Sequence, residues 1–68
     1  MLKGKGIYNM TCKIKIKMDN SAFEFPEEEL SRILKILADK AQTGILRKNN
    51  SVSIMDINGN NVGKAEIK

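Results

Sequence analysis

The sequence predicts a small α+β domain in the order β-α-β-β, with one helix packed on a three-stranded antiparallel or mixed sheet. Three observations predict it: strict apolar alternation over residues 11–18, a proline-led amphipathic stretch from residue 26, and an Asn58-Gly59 pair between two alternating runs. A chain of 68 residues allows one domain with a small core, so a partner or a second copy is a natural complement.

The first residues, MLKGKGIYNM, fit neither period, and residues 1–10 read as a flexible N-terminal segment ahead of a single domain over 11–68. Lys-Gly-Lys-Gly can be encoded by purine-rich codons resembling a ribosome-binding site, which makes Met10 an alternative start to Met1. TCKIKIKM, residues 11–18, then places Cys12, Ile14, Ile16 and Met18 on one side and Lys13, Lys15 and Lys17 on the other, the pattern of a half-buried strand. Cys12 is the lone cysteine, has no internal disulfide partner, and reads as a small buried apolar residue of that strand.

Asp19, Asn20 and Ser21 break the strand with turn chemistry, and Phe23 and Phe25 are expected to cap the core. Pro26 suits the first turn of a helix because its missing N–H would have had no intrahelical partner, and Glu27, Glu28 and Glu29 complement the positive end of the helix dipole. Gly44 stands where a left-handed cap would end the helix, giving residues 26–43. At about 100° per residue, Leu30, Ile33, Leu34, Leu37, Ala38 and Ala41 form one stripe, with Ile36 on its shoulder. Ile36 has two readings, a contact to a second chain or a partly exposed core-edge residue.

MDINGNNVGKAEI, residues 55–67, poses a choice between a calcium loop and a tight turn. An EF-hand loop counted from Asp56 would need glycine at its sixth position and glutamate at its twelfth; glycine comes two places early and the twelfth residue is Ile67. Asn58 and Asn60 could offer carbonyl oxygens, yet one carboxylate with two amides holds calcium weakly. Asn58-Gly59 is instead a hairpin signal, and a two-residue turn is expected. A slip in period at Gly63 points to a bulge, or to a three-residue turn in place of two. With a right-handed crossover the third strand falls between the other two, in the order 1-3-2 with antiparallel neighbours.

Composition narrows the chemistry. There is no histidine, no second cysteine and no glycine-rich phosphate cradle, so no catalytic, cofactor-binding or metal residue is assigned and an enzyme is not expected. No apolar run is long enough to cross a bilayer. Residues 1–18 hold five lysines and no acid, residues 19–31 hold five acids and no base, and the net charge is +4. Lys13, Lys15 and Lys17, joined by Lys64, are expected to make a basic stripe on the open sheet face. That stripe reads either as a solvated face protecting an edge strand or as a phosphate-binding surface, with Tyr8 the one nearby aromatic for base stacking.

The segments MDNSAFEF, ELSRILKILADKAQTG and DINGNNVGKAEI together resemble a family of short, uncharacterised phage and prophage proteins, across most of residues 11–67. Where many of those similar sequences carry an aromatic, this chain has Ala65. The resemblance implies a cytoplasmic accessory protein of the infected host cell that acts by binding a host or phage protein, as inhibitors of host defence such as anti-CRISPR proteins do. Candidate surfaces are the face of Lys13, Lys15, Lys17 and Lys64, the helix shoulder at Ile36, and the acidic helix start around Glu28. The alternative is a nucleic-acid-binding module using the lysine face, and a third reading is a homodimer that holds a small ligand at its interface.

Overall fold

The computed structural model describes residues 9–68. Strand β1 (Cys12–Ile16) is followed by a 3-10 turn (Ser21–Phe23), helix α1 (Pro26–Gln42), strand β2 (Asn50–Met55) and strand β3 (Asn61–Ile67). The strands form one antiparallel sheet in the order β1-β3-β2, as expected, and α1 packs on one face. Apart from residues 9 and 10, the expectations for residues 1–10 lie outside the described residues.

Local chemistry explains the ends of α1. Pro26 opens it, and Glu27, Glu28 and Glu29 occupy its first turn. At the other end Gly44 takes φ +83°, the Ile45 N–H donates to the Lys40 carbonyl at 2.9 Å and the Gly44 N–H to the Ala41 carbonyl at 3.2 Å. These two bonds are those of a Schellman cap, which satisfies carbonyls the helix would otherwise leave open.

The core consists of Phe23, Ile33, Leu37, Leu46, Ile54, Val62 and Ala65, with Ile16, Ala22, Val52 and Ile67 partly buried around it. Ala65 is fully buried, directly beneath the helix layer. Two expectations about this core are corrected. Phe25 does not cap it, being 59% exposed. The apolar side of β1 is also largely uncovered: Cys12 is exposed, Ile14 is 46% exposed and Met18 is 38% exposed. Ile14 lies opposite the buried Ala65 and so points to the helix side of the sheet. The helix sits over β2 and β3 and stops short of β1. One helix is about 10 Å wide and strands lie about 4.8 Å apart, so it shields two strands and leaves most of the third uncovered, with Ile16 the β1 residue packed against the core.

The helix is also turned relative to the stripe its hydropathy predicts. Its buried residues are Glu29, Ile33 and Leu37, while Leu34 is 44% exposed and Ala38 and Ala41 face solvent. The cause is polar: Glu29 and Arg32 are tied to the end of β2 by the bonds described below, which rotates the apolar arc away from β1.

The hairpin takes the three-residue alternative in place of the two-residue turn. Asp56 and Asn60 close the loop through the Asp56 N–H to the Asn60 carbonyl at 2.9 Å, leaving Ile57, Asn58 and Gly59 as a three-residue loop. Only Gly59 has positive φ, +85°, whereas a two-residue turn of the primed kind would require it at Asn58 too. The bulge expected near Gly63 is present. Ile54 pairs with Gly63 and Met55 with Asn61, so Val62 is the extra residue, and it is buried in the core. Gly63 is there because β1 presses on it: a methyl group at this position would lie 1.9 Å from the Lys15 carbonyl oxygen.

Candidate interaction surfaces

Asp56 is the organiser of the hairpin end. It is 4% exposed, and its carboxylate accepts bonds from the N–H groups of Asn58 and Asn60, both at 2.9 Å, and from the side-chain amides of Asn20 at 2.8 Å and Asn60 at 3.1 Å. Burial alone would raise its pKa, but these four donors outweigh desolvation and hold it below the ordinary carboxylate value. The oxygens that a calcium ion would need are already committed to holding the loop. Among the described residues no group of three or more His, Cys, Asp or Glu is placed to bind a metal ion.

Asn20 works in two directions. Its side-chain oxygen accepts from the Ala22 N–H at 2.8 Å, starting the 3-10 turn, while its amide donates to Asp56. The turn after β1 and the hairpin between β2 and β3 are therefore fastened to each other.

Glu29, read from sequence as one of three dipole-compensating acids, is 6% exposed and does more. Its carboxylate takes two bonds from the Arg32 guanidinium, at 2.9 and 2.7 Å, and one from the Ile57 N–H at 2.9 Å. Arg32 also donates to the Met55 carbonyl at 3.2 Å. The paired Arg32 holds the Glu29 carboxyl below its usual pKa despite desolvation, and the Ile57 N–H adds to the effect.

This network forms the floor of an apolar flank where α1 meets β2. Arg32, Ile36 and Met55 line one shallow depression, and Phe25, Arg32 and Ile57 line the next, so Arg32 joins the two. Ile36, Met55, Phe25 and Ile57 are 41%, 50%, 59% and 65% exposed. Glu28, also exposed, borders the second depression. Ile36 and Glu28 are thus brought to one flank, on opposite sides of Arg32.

The lysines gather elsewhere. Lys15 lies opposite Lys64, and Lys13 opposite Glu66, on the sheet face away from the helix. Lys13, Lys15, Lys17 and Lys64 line one shallow, open depression together with Glu66. Glu66 sits 3.6 Å from Lys64 and 3.9 Å from Lys68. Ser51 and Ser53 of β2 complete this face without adding charge.

The chain matches no family model, no curated protein and no solved structure. No helix among the described residues is long and apolar enough to cross a membrane.

The Glu29–Arg32–Ile57 link and the Asn20–Asp56 link were not apparent from sequence. The three-residue spacing of Glu29 and Arg32, and the Asp-x-Asn-x-Asn run at residues 56–60, are the local signals that point to them.

Proposed function

We propose that this chain is a non-enzymatic binding module that docks on a partner protein through the α1–β2 flank around Arg32. The observation that carries the reading is the set of exposed apolar residues in the two depressions that share Arg32, Ile36 and Met55 in one and Phe25 and Ile57 in the other, beside an arginine whose head is already held in place. Among the described residues, exposed large apolar side chains outnumber the buried hydrophobic ones, more than a domain acting alone has reason to expose. Arginine and aromatic side chains are favoured at binding hot spots, and a guanidinium fixed before contact loses little freedom on docking. Met55 supplies a side chain that adapts to the partner's shape.

The partner is a host or phage protein. With the resemblance to short phage and prophage proteins, the reading becomes an accessory protein of the infected cell's cytoplasm that blocks a host-defence component, in the manner of anti-CRISPR proteins. Such inhibition needs a surface and no catalytic group, in keeping with a chain that has no histidine.

The lysine face supports a second reading, nucleic-acid binding, because the pairing of Lys15 with Lys64 concentrates charge on an uncovered sheet. Glu66 sits among these lysines and no aromatic accompanies them among the described residues of that face, which weakens base stacking.

One experiment separates the readings. Tagged wild type, Ile36→Glu and Lys15→Glu are used to recover partners from host lysate at moderate salt, each with and without nuclease. A discrete protein that survives nuclease, is lost with Ile36→Glu and is retained with Lys15→Glu supports the flank. Loss of every partner after nuclease, or with Lys15→Glu alone, overturns it in favour of the lysine face.

A further inference from the structure

On the opposite flank of α1, Leu30, Leu34 and Ala38 line a shallow apolar groove with Glu27, Ser31 and Lys35. This flank turns toward the bare side of β1, where Ile14 and Met18 are 46% and 38% exposed. The groove lies on the far side of α1 from Ile36 and is independent of the docking flank.

The charges on this groove are arranged in a self-complementary way. Glu27 and Lys35 are eight residues apart, roughly 12 Å along the axis at 1.5 Å per residue, with the small Ser31 midway between them. An antiparallel copy of the same helix, related by a two-fold axis at Ser31, would set each Glu27 beside the other copy's Lys35. It would also interleave Leu30 and Leu34 from both sides. A two-fold interface requires this property, the same patch meeting itself.

Strand-edge pairing is the other way in which two copies could join, and the lysines oppose it. A β1 edge laid against its own copy would bring Lys13, Lys15 and Lys17 beside their counterparts on the open face, where like charges repel. The apolar side of the same strand carries no charge and is free to be covered.

We infer that the protein forms a homodimer through α1, two helices lying antiparallel side by side with Leu30 and Leu34 at the centre and Glu27 facing Lys35 across each end. The two sheets form the outer layers, with their lysine faces outward.

The test is the mass in solution of the full chain over a concentration series, with helix content checked by circular dichroism. Wild type is expected at twice the chain mass, and folded Leu34→Glu at the single mass. Glu27→Lys and Lys35→Glu should each weaken the dimer at least about tenfold, since each change removes both symmetry-related ion pairs and sets like charges in their place, and the double exchange should restore it. A monomer at every concentration overturns the inference and leaves the groove to a different protein. A dimer that survives Leu34→Glu overturns it as well, as do single reversals whose effects add in the double variant.

Discussion

The carboxylate of Glu29, in the first turn of the helix, accepts a hydrogen bond from the backbone N–H of Ile57, 28 residues away at the tip of the hairpin. This bond sets the rotation of α1 on the sheet, because a helix fixed to β2 on its acidic side cannot also bring Leu34 down onto β1.

The rotation is measurable by comparing two leucine-like positions that hydropathy alone treats as equals. Ile33 is 2% exposed and Leu34 is 44% exposed. Ile33→Ala should destabilise by about 3 kcal/mol through lost transfer energy and a cavity, and Leu34→Ala by less than about 1 kcal/mol for the isolated chain. Urea unfolding below the concentration at which the chain self-associates reads both, and equal losses would contradict the rotation.

Gly63 offers a sharper test of the sheet. A methyl group there would meet the Lys15 carbonyl at 1.9 Å, and backbone cannot step aside as a flexible side chain can. Gly63→Ala should cost about 3 kcal/mol, with the loss concentrated in β1. Hydrogen exchange should show the β1 amides losing protection before those of β2.

Acid should loosen the hairpin end. Glu29 and Asp56 are both held below their ordinary values of 4.5 and 3.8, so each binds its proton more tightly in the unfolded chain than in the folded one. Their contribution is therefore fully present above those ordinary values and is lost as pH falls through the lower, folded ones. The melting temperature should hold from neutrality down to about pH 5 and then decline. Glu29→Gln and Asp56→Asn should each flatten that decline.

The loop makes its own prediction. Gly59→Ala should cost about 1 kcal/mol, because an alanine is strained at φ +85°. Asn58→Ala should cost much less, since a three-residue loop leaves Asn58 at negative φ. Thermal unfolding of the two variants distinguishes this loop from the two-residue turn that Asn-Gly suggests, in which both changes would be costly.

What the sequence revealed and what it concealed divide along a physical line. The helix limits were legible because Pro26 and Gly44 act on their own neighbours. The strand order was legible because handedness and a short hairpin leave few alternatives. The bulge at Val62 could be read from one break in alternation. The bare face of β1 could not, because Cys12, Ile14 and Met18 alternate as buried residues do, and only the width of the helix decides whether they are covered. The buried role of Glu29 was hidden for a related reason: its partner Ile57 is a backbone group, and backbone groups have no sequence signature. Of the candidate surfaces, the gathering of Lys13, Lys15, Lys17 and Lys64 followed from alternation, whereas the place of Ile36 beside Met55 depended on tertiary packing.

The position of β3 between the other two strands bears on how the chain acquires its shape. Among the strands, both β1 and β2 pair only with β3, which comes after them in the chain. During synthesis β1, α1 and β2 emerge with no strand to join, and β1 must wait until residues 61–67 have left the ribosome. The decisive step is then closure of the long loop from Cys12 to Ile67, whose entropy is paid before any β1 contact forms. Until that moment the backbone N–H and C=O groups of β1 remain open to other nascent chains. The alternating lysines of β1 act in that interval, keeping an unpaired strand in solution until its partner arrives.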